Sequence, residues 1–281
     1  MNTRLVPPFV TLGIDLASQP ARTGACRITW ITGRGAAQLL SGDELSDPGL
    51  FAAMRDPTVS RIAIDAPFGW PRAFVDAIGA WRDQGVWPLG LDPGKSQDAL
   101  VLRATDLDVW RGDKSGEWKG VGRGPLSVSA DRIAFAAMRC ARLVNALGAA
   151  EGQAIDRSGH GRVLEVYPEA ALRQWTISSA TDDSDAGGYK GTSPAAVERR
   201  RRLFGRLRDR LSNVVDLGPV SEACLASDDA LDAVVCALVA RAAEVGALLP
   251  VGDPEQARVE GWIRLPTPES LSLLSGETPN R

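Results

Sequence analysis

The first thirty residues already carry two strand patterns. Val10-Thr11-Leu12-Gly13-Ile14-Asp15-Leu16-Ala17-Ser18 is an almost unbroken apolar run with one carboxylate in its C-terminal half. Gly24 to Ile31 alternates polar and apolar positions, as a half-buried strand does. Ala36 to Ser41 predicts a third strand after the Gly33 and Gly35 turn. Three strands joined by short turns predict an antiparallel meander. A short helix over Asp47 to Arg55 follows, then the apolar strand Arg61 to Asp65, which again ends in an acid and is stopped by Pro67.

Helical spacing returns over Arg72 to Gln84, Val128 to Leu147 (with Gly148 as a stop) and Glu169 to Trp175. Pro194 to Leu211 is a basic amphipathic helix, and Asp228 to Val245 is an Ala-rich apolar helix with Ser227 as N-cap. Arg162 to Tyr167 and Ala257 to Leu265 read as the remaining strands. Two stretches lack a period. One is an irregular insertion over about 69–127, rich in Gly, Pro and Trp. The other is a Ser/Asp/Gly-rich segment over about 176–193, expected to be an exposed mobile loop. With no internal repeat and no clean boundary, residues 1–281 are expected to form one α/β domain with a mixed sheet.

Composition narrows the function classes. An apolar fraction of 44% and a charged fraction of 24% suit a chain that buries a sizeable core. The net charge of −3 excludes a global pull toward polyanions, so a nucleic-acid site would have to be local. Cys26, Cys140, Cys224 and Cys236 lack metal-ligand spacing and read as reduced thiols. No secretion signal and no run of about 18 apolar residues stands out, which predicts a cytoplasmic protein without a membrane partner. Oligomeric state leaves no mark in the pattern.

The acids change the picture. An Asp inside an apolar strand must find a partner, because an unpaired buried carboxylate costs several kcal/mol or neutralises. Asp15 and Asp65 both end apolar strands, Glu165 interrupts Val163 to Val166, and Asp228, Asp229 and Asp232 open the last long helix. Dipole capping accounts for Asp228 and Asp229. It accounts less well for Asp232, which lies within Ala230-Leu231-Asp232-Ala233-Val234-Val235. If these acids converge, they call for a hard divalent cation, Mg²⁺ or Mn²⁺, of the kind that oxygen ligands hold. Two such ions about 3.5–4 Å apart form the clamp used for in-line hydrolysis of phosphodiesters.

Five motifs occur in order: Gly13-Ile14-Asp15, Ile64-Asp65-Ala66-Pro67, Arg103-Ala104-Thr105-Asp106, Glu165-Val166-Tyr167-Pro168 and Asp228-Asp229-Ala230-Leu231-Asp232-Ala233. Together with Glu260-Gly261-Trp262-Ile263 they resemble the family labelled domain of unknown function 429 (DUF429), whose members are regarded as nucleases of ribonuclease H-like fold. The resemblance runs from about Thr11 to Leu265. It implies a five-stranded mixed sheet with the first three strands antiparallel and helices on both faces. It implies a metal-dependent nuclease acting on DNA or RNA, with Asp15, Asp65, Asp229 and Asp232 catalytic and Asp228 as a possible substitute ligand. Glu165 would be a further ligand or would orient Arg103. The helix Asp47 to Arg55 lacks the Glu that ribonuclease H keeps on its first helix, so an arrangement like that of the Holliday-junction resolvases suits better.

Arg103, Arg199 and Arg202 are candidate phosphate contacts, against the plainer reading of Pro194 to Leu211 as a solvated basic face. Trp70, Trp81, Trp87, Trp110 and Trp118 could stack bases or simply pack the insertion. Gly120 to Gly124 lacks the GK[ST] ending of a phosphate loop, and His160, the lone histidine, sits in a turn. Two other functions remain open. One is an ATP-dependent phosphotransferase of the actin-like or sugar-kinase type, disfavoured by the missing glycine turn after the first strand. The other is a non-catalytic nucleic-acid-binding module.

Overall fold

A computed structural model of the chain describes residues 8–89, 98–112, 116, 118, 120–121, 125–177 and 188–276. In chain order the strands are β1 (Phe9–Asp15), β2 (Gly24–Ile31), β3 (Arg34–Leu39), β4 (Val59–Asp65), β5 (Val163–Glu165) and β6 (Val215–Asp216). The helices are α1 (Asp47–Arg55), α2 (Arg72–Gln84), α3 (Asp98–Val101), α4 (Ala104–Arg111), α5 (Ile133–Glu151) and α6 (Pro168–Gln174). They continue with α7 (Pro194–Leu211), α8 (Ser221–Ala226), α9 (Asp228–Glu244), α10 (Pro254–Glu260) and α11 (Ser270–Leu273). The mixed sheet has six strands in the order β5-β4-β1-β2-β3-β6, one more than the five expected. The two-residue β6, too short to show a period, pairs parallel with β3 and goes unannounced in the sequence.

The chain forms two compact units. The first comprises residues 1–65, 166–249 and 265–281; the second comprises 66–165 and 250–264. In the first, β1 pairs antiparallel with β2 and parallel with β4, and β2 pairs antiparallel with β3. Leu12, Ile14, Ile28, Ile62 and Ile64 are completely buried, as strands covered on both faces require. Helix α9 packs along β1, β2 and β4. It is apolar almost all round, with Leu231, Val234, Val235, Leu238 and Val239 inaccessible to solvent. Ser227 caps it, its Oγ accepting from the Ala230 N–H at 3.3 Å. Near its other end, the Arg241 guanidinium lies over the Trp30 ring at 4.9 Å and the Phe9 ring at 5.0 Å.

The second unit is mostly helical. Helices α3 and α4 lie where the sequence shows only an irregular insertion. Helix α5 begins at Ile133 rather than Val128, because Ser127 and Asp131 close a turn first. There the Ser127 N–H donates to Asp131 Oδ2 at 2.8 Å, and the Ser129 and Ala130 N–H groups donate to Ser127 Oγ. By length and composition alone α5, with mean hydropathy 1.3, could cross a membrane, although no run of about 18 apolar residues stood out in the sequence. Its Cys140, Leu143, Val144 and Leu147 are buried.

The strand expected over Ala257 to Leu265 is not formed. Asp253 and Pro254 start helix α10 instead, Asp253 Oδ1 accepting from the Glu255 and Gln256 N–H groups. Only Ile263 makes a strand-like bridge, to Glu165. Of the expected mobile segment, residues 178–187 lie outside the described residues, and its flanks Ile177 and Tyr189 are buried. Lys114, Lys119 and Arg123, and most of the Gly120 to Gly124 run, also lie outside the described residues.

Candidate active site

The acids of the first unit are brought together by strand register and by two missing side chains. Asp15 and Asp65 are register partners on the adjacent parallel strands β1 and β4, so they share one face. Gly13, two residues before Asp15, shares that face too. A Cβ on Gly13 would lie 2.2 Å from the Ala233 carbonyl oxygen of α9 and 2.2 Å from the Ala237 nitrogen. Gly24 of β2 pairs with Asp15 itself, and a Cβ there would lie 2.1 Å from the Asp229 carbonyl oxygen. Glycine at both positions lets the backbone of α9 rest directly on the sheet. The first two turns of α9, carrying Asp229 and Asp232, are thereby set against the strand ends that carry Asp15 and Asp65.

Access differs among these acids. Asp232 is completely buried, whereas Asp15, Asp65 and Asp229 are only partly so. Asp229 faces Arg22 at 3.6 Å, and Arg22 is 72% exposed, so this edge opens to solvent.

A short stretch before α7, Gly188 to Gly191, completes the site. The buried Tyr189 hydroxyl donates to Asp232 Oδ1 at 2.6 Å, and the Lys190 ammonium lies 2.8 Å from Asp232 Oδ2. The backbone of this stretch is pinned by α7. Arg199 donates to the Gly188 carbonyl at 2.9 Å. Arg200 donates to the carbonyls of Tyr189 at 2.9 Å and Gly191 at 3.0 Å, and also to Leu225 and Ala226 at the end of α8. Both arginines are buried. One guanidinium therefore ties the Tyr189–Lys190 stretch to the residues just before the α9 N-cap.

The electrostatics follow from that crowding. Burial raises the Asp15 carboxyl well above its ordinary range, and Asp232, Asp65 and Asp229 push the same way against Lys190. Burial also raises Asp232, with Lys190 and the Tyr189 hydroxyl pulling it back. Asp229 is raised by burial and by Asp228, and Arg22 moderates it. Packing around the Lys190 ammonium would lower it, but Asp232, Tyr189, Asp65 and Asp15 outweigh that and hold it protonated. Burial and Asp232 likewise keep the Tyr189 phenol protonated. Cys236 is raised by burial and by Asp65 and Asp15, so it is a buried, unreactive thiol.

All the candidate donors are hard carboxylate oxygens, which in kind suit Mg²⁺ or Mn²⁺. Among the described residues, however, no three His, Cys, Asp or Glu side chains are gathered closely enough to hold a metal ion. The positive charge beside Asp232 is the Lys190 ammonium.

The remaining candidates lie elsewhere in the side-chain network. Asp228, at the α9 N-terminus, is 3.8 Å from Arg200. Arg202 is on the outer face of α7, 3.7 Å from Glu198, and is 46% exposed. Arg199, proposed from the sequence as a phosphate contact, faces inward.

Glu165 and Arg103 belong to the second unit, where they hold each other. Arg103 donates to Glu165 Oε1 at 2.7 Å and Oε2 at 2.9 Å. It also donates to Asp106 Oδ1 at 2.8 Å and Oδ2 at 3.1 Å. Glu165 Oε2 accepts the Phe68 N–H as well, at 3.0 Å. Arg103 thus presents no open guanidinium edge to a phosphate, and the Glu165 oxygens are already occupied. Glu165 and Arg103 are each other's buried ion-pair partners. Glu260 of α10 accepts from the Arg72 N–H at 2.8 Å and the Ala104 N–H at 2.9 Å, capping α2 and α4 together.

His160 contacts the Ser158 hydroxyl at 3.0 Å, and that hydroxyl donates to Asp156 at 2.9 Å. The hydroxyl stands between acid and imidazole, so the order of a nucleophilic triad is absent there. Trp118, one candidate for base stacking, is buried and donates to the Val109 carbonyl at 3.0 Å.

The residues that sequence reasoning passed over are Tyr189, Lys190 and Arg200. The one available signal was a large aromatic followed by a lysine within an otherwise small and polar stretch.

A family model described as Protein of unknown function (DUF429) matches residues 13–257, a span that contains every acid of the cluster. Comparison with curated proteins and with solved structures found no match.

Proposed function

The chain belongs to the DUF429 family, and from that premise we propose that the acid cluster of Asp15, Asp65, Asp229 and Asp232 is the site of a divalent-metal-dependent nuclease on a ribonuclease H-like sheet. One observation supports the proposal: Asp15 and Asp65 are register partners on adjacent strand ends, and the α9 acids Asp232 and Asp229 act electrostatically on Asp15 together with Lys190. A structural role alone gives little reason for that crowding, because like charges at close range destabilise the fold. A protein gains from such an arrangement when a cation or a cationic transition state must be met there.

Asp15 and Asp65 of the sheet and Asp229 and Asp232 of α9 are the residues that would hold a hard divalent cation, which when bound would supply Lewis acidity toward a phosphodiester oxygen. The chain's own residues do the rest. Tyr189 keeps its proton and fixes Oδ1 of Asp232. Asp232, completely buried, anchors the closed end of the site, while Asp15, Asp65 and Asp229 face the open end. Arg22, exposed beside Asp229, would meet an incoming phosphate, and Arg202 on the outer face of α7 is a second exposed guanidinium for phosphate contact.

The test is cleavage of labelled single- and double-stranded DNA and RNA in Mg²⁺ or Mn²⁺, with a chelator control and an Asp15→Asn variant. Metal-dependent cleavage that disappears in the variant is the expected result. Cleavage that the variant retains, or no turnover of any of these substrates in either metal, overturns the proposal.

A further inference from the structure

We propose that the cavity lined by helix α5 and residues 68–70 binds a small aromatic carboxylate, its rings inside the apolar cavity and its anionic end on Arg157. Every lining residue belongs to the second unit, so the site is separate from the acid cluster of the first.

The space itself is the first observation. It measures about 510 Å³, within the range of roughly 300–1,000 Å³ usual for small-molecule sites. The second is how the chain builds it. Ala141, Gly148 and Ala149 of α5 leave room along the helix because they carry little or no side chain. Beyond the helix, Gly152 turns the chain at φ 71°, and the Gln153 N–H donates back to the Gly148 carbonyl at 3.0 Å. A Cβ on Gly148 would lie 2.7 Å from the Gln153 carbonyl oxygen. Glycine there lets residues 153–155 fold against α5 as one wall. Phe68 and Trp70 line the cavity as well, and their rings favour a flat aromatic ligand over an aliphatic one.

Charge is the third observation. Arg157 is the one charged side chain of the lining. Its guanidinium donates to the Phe68 carbonyl at 3.3 Å and the Arg258 carbonyl at 3.4 Å, both long contacts to neutral acceptors. Among the described residues no carboxylate pairs with it. A guanidinium has donors to spare beyond two such bonds, and a carboxylate matches its fork. The neighbouring Asp156 is engaged elsewhere, accepting from the Ser158 N–H and hydroxyl, each at 2.9 Å. The buried Cys140 thiol also lines the cavity, but burial and Glu165 raise it against Arg103, so it is no nucleophile. The cavity therefore holds its ligand without reacting with it.

The test is isothermal titration of the whole chain with naphthoate and with naphthalenemethanol, a neutral molecule of nearly the same shape. Wild type should bind naphthoate with a Kd of about 1 mM or tighter, as a small ring system does. It should bind naphthalenemethanol roughly tenfold more weakly. Arg157→Met should bring naphthoate down to the level of the alcohol and leave the alcohol unchanged, whereas Arg157→Lys should keep part of the preference. Ala149→Trp, at an exposed helix position on the cavity, should abolish binding of both.

No saturable binding of naphthoate by wild type overturns the inference, as does equal binding of the acid and the alcohol. Naphthoate binding that survives Ala149→Trp places the molecule elsewhere and overturns it too. An Arg157→Met variant that fails to fold leaves the wild-type preference and Ala149→Trp to decide. None of these readings uses a metal or a nucleic acid, so they stand or fall apart from the proposed nuclease.

Discussion

Two groups of buried carboxylates in this chain are treated in opposite ways. In the second unit, Asp106 and Glu165 share the enclosed guanidinium of Arg103, and every polar contact between them is a short hydrogen bond. In the first unit, Asp232, Asp65 and Asp229 act on Asp15, and the ammonium beside Asp232, at 2.8 Å, belongs to the partly exposed Lys190. Burial pushes both Glu165 and Asp15 upward. Arg103 then pulls Glu165 back against Asp106, whereas Asp232, Asp65 and Asp229 push Asp15 further against Lys190. A compensated cluster is part of the scaffold. An undercompensated one stores repulsion that a bound cation can relieve, and this is why only the first is proposed as a site.

The contrast can be broken most severely at Arg103. Replacing it by Met leaves Asp106 and Glu165 buried without their partner and should cost about 3–5 kcal/mol of stability. Chemical denaturation measures this, and a loss well below that range would mean that Arg103 is dispensable to the scaffold. Asp15→Asn should do the reverse. It should lower metal-dependent cleavage on the order of a hundredfold or more, about 2.7 kcal/mol of barrier, and leave the melting temperature in chelator unchanged or higher. A variant that melts well below wild type would place Asp15 with the scaffold acids.

Gly24→Ala tests the close approach that assembles the cluster. Its new Cβ would meet the Asp229 carbonyl oxygen at 2.1 Å, so α9 must shift. A loss of about 1–3 kcal/mol is expected, together with weaker Mn²⁺ binding, measured on the folded variant. Glu260→Gln, at the double cap of α2 and α4, should cost about 0.5–2 kcal/mol without altering Mn²⁺ binding.

The smallest effect is on pH. The Asp15 carboxyl is raised in the folded chain above its ordinary value of 3.8. The stability that its protonated form contributes is therefore complete below about pH 3.8 and lost as pH rises through the folded value. In chelator, wild type should lose stability relative to Asp15→Asn as pH climbs from 3.8 into the neutral range. A flat difference between the two proteins would show that Asp15 titrates as an ordinary surface acid.

Much of the fold is legible residue by residue. Gly24–Ile31, Asp47–Arg55, Arg72–Gln84 and Pro194–Leu211 begin and end where alternation, helical spacing and caps place them. The misreading at Ala257 to Leu265 came from Val259, Trp262 and Ile263, which look strand-like. The Asp253-Pro254-Glu255 start signal for α10 lay just upstream of that window. The acids Asp15 and Asp65 stood out because a carboxylate closing an apolar strand is costly wherever the strand goes. Tyr189 and Lys190 did not stand out, since nothing local separates a counter-ion from an exposed lysine. Arg199 stood out as a candidate phosphate contact and Arg200 as one arginine of a basic face, although both guanidinium groups turn inward to backbone carbonyls.

The sequence by itself determined which segments become strands and helices and which carboxylates ride on their apolar stretches, because period and burial cost are properties of a few neighbouring residues. It also contained the glycines that α9 needs, though without saying what approaches them. Only the tertiary structure decided which charge meets which. Register put Asp65 beside Asp15, the bare faces of Gly13 and Gly24 admitted Asp229 and Asp232, and Arg200 delivered Lys190 to them. Electrostatic pairing depends on distance in space and on the local dielectric, and neither is written in the spacing of residues along a chain.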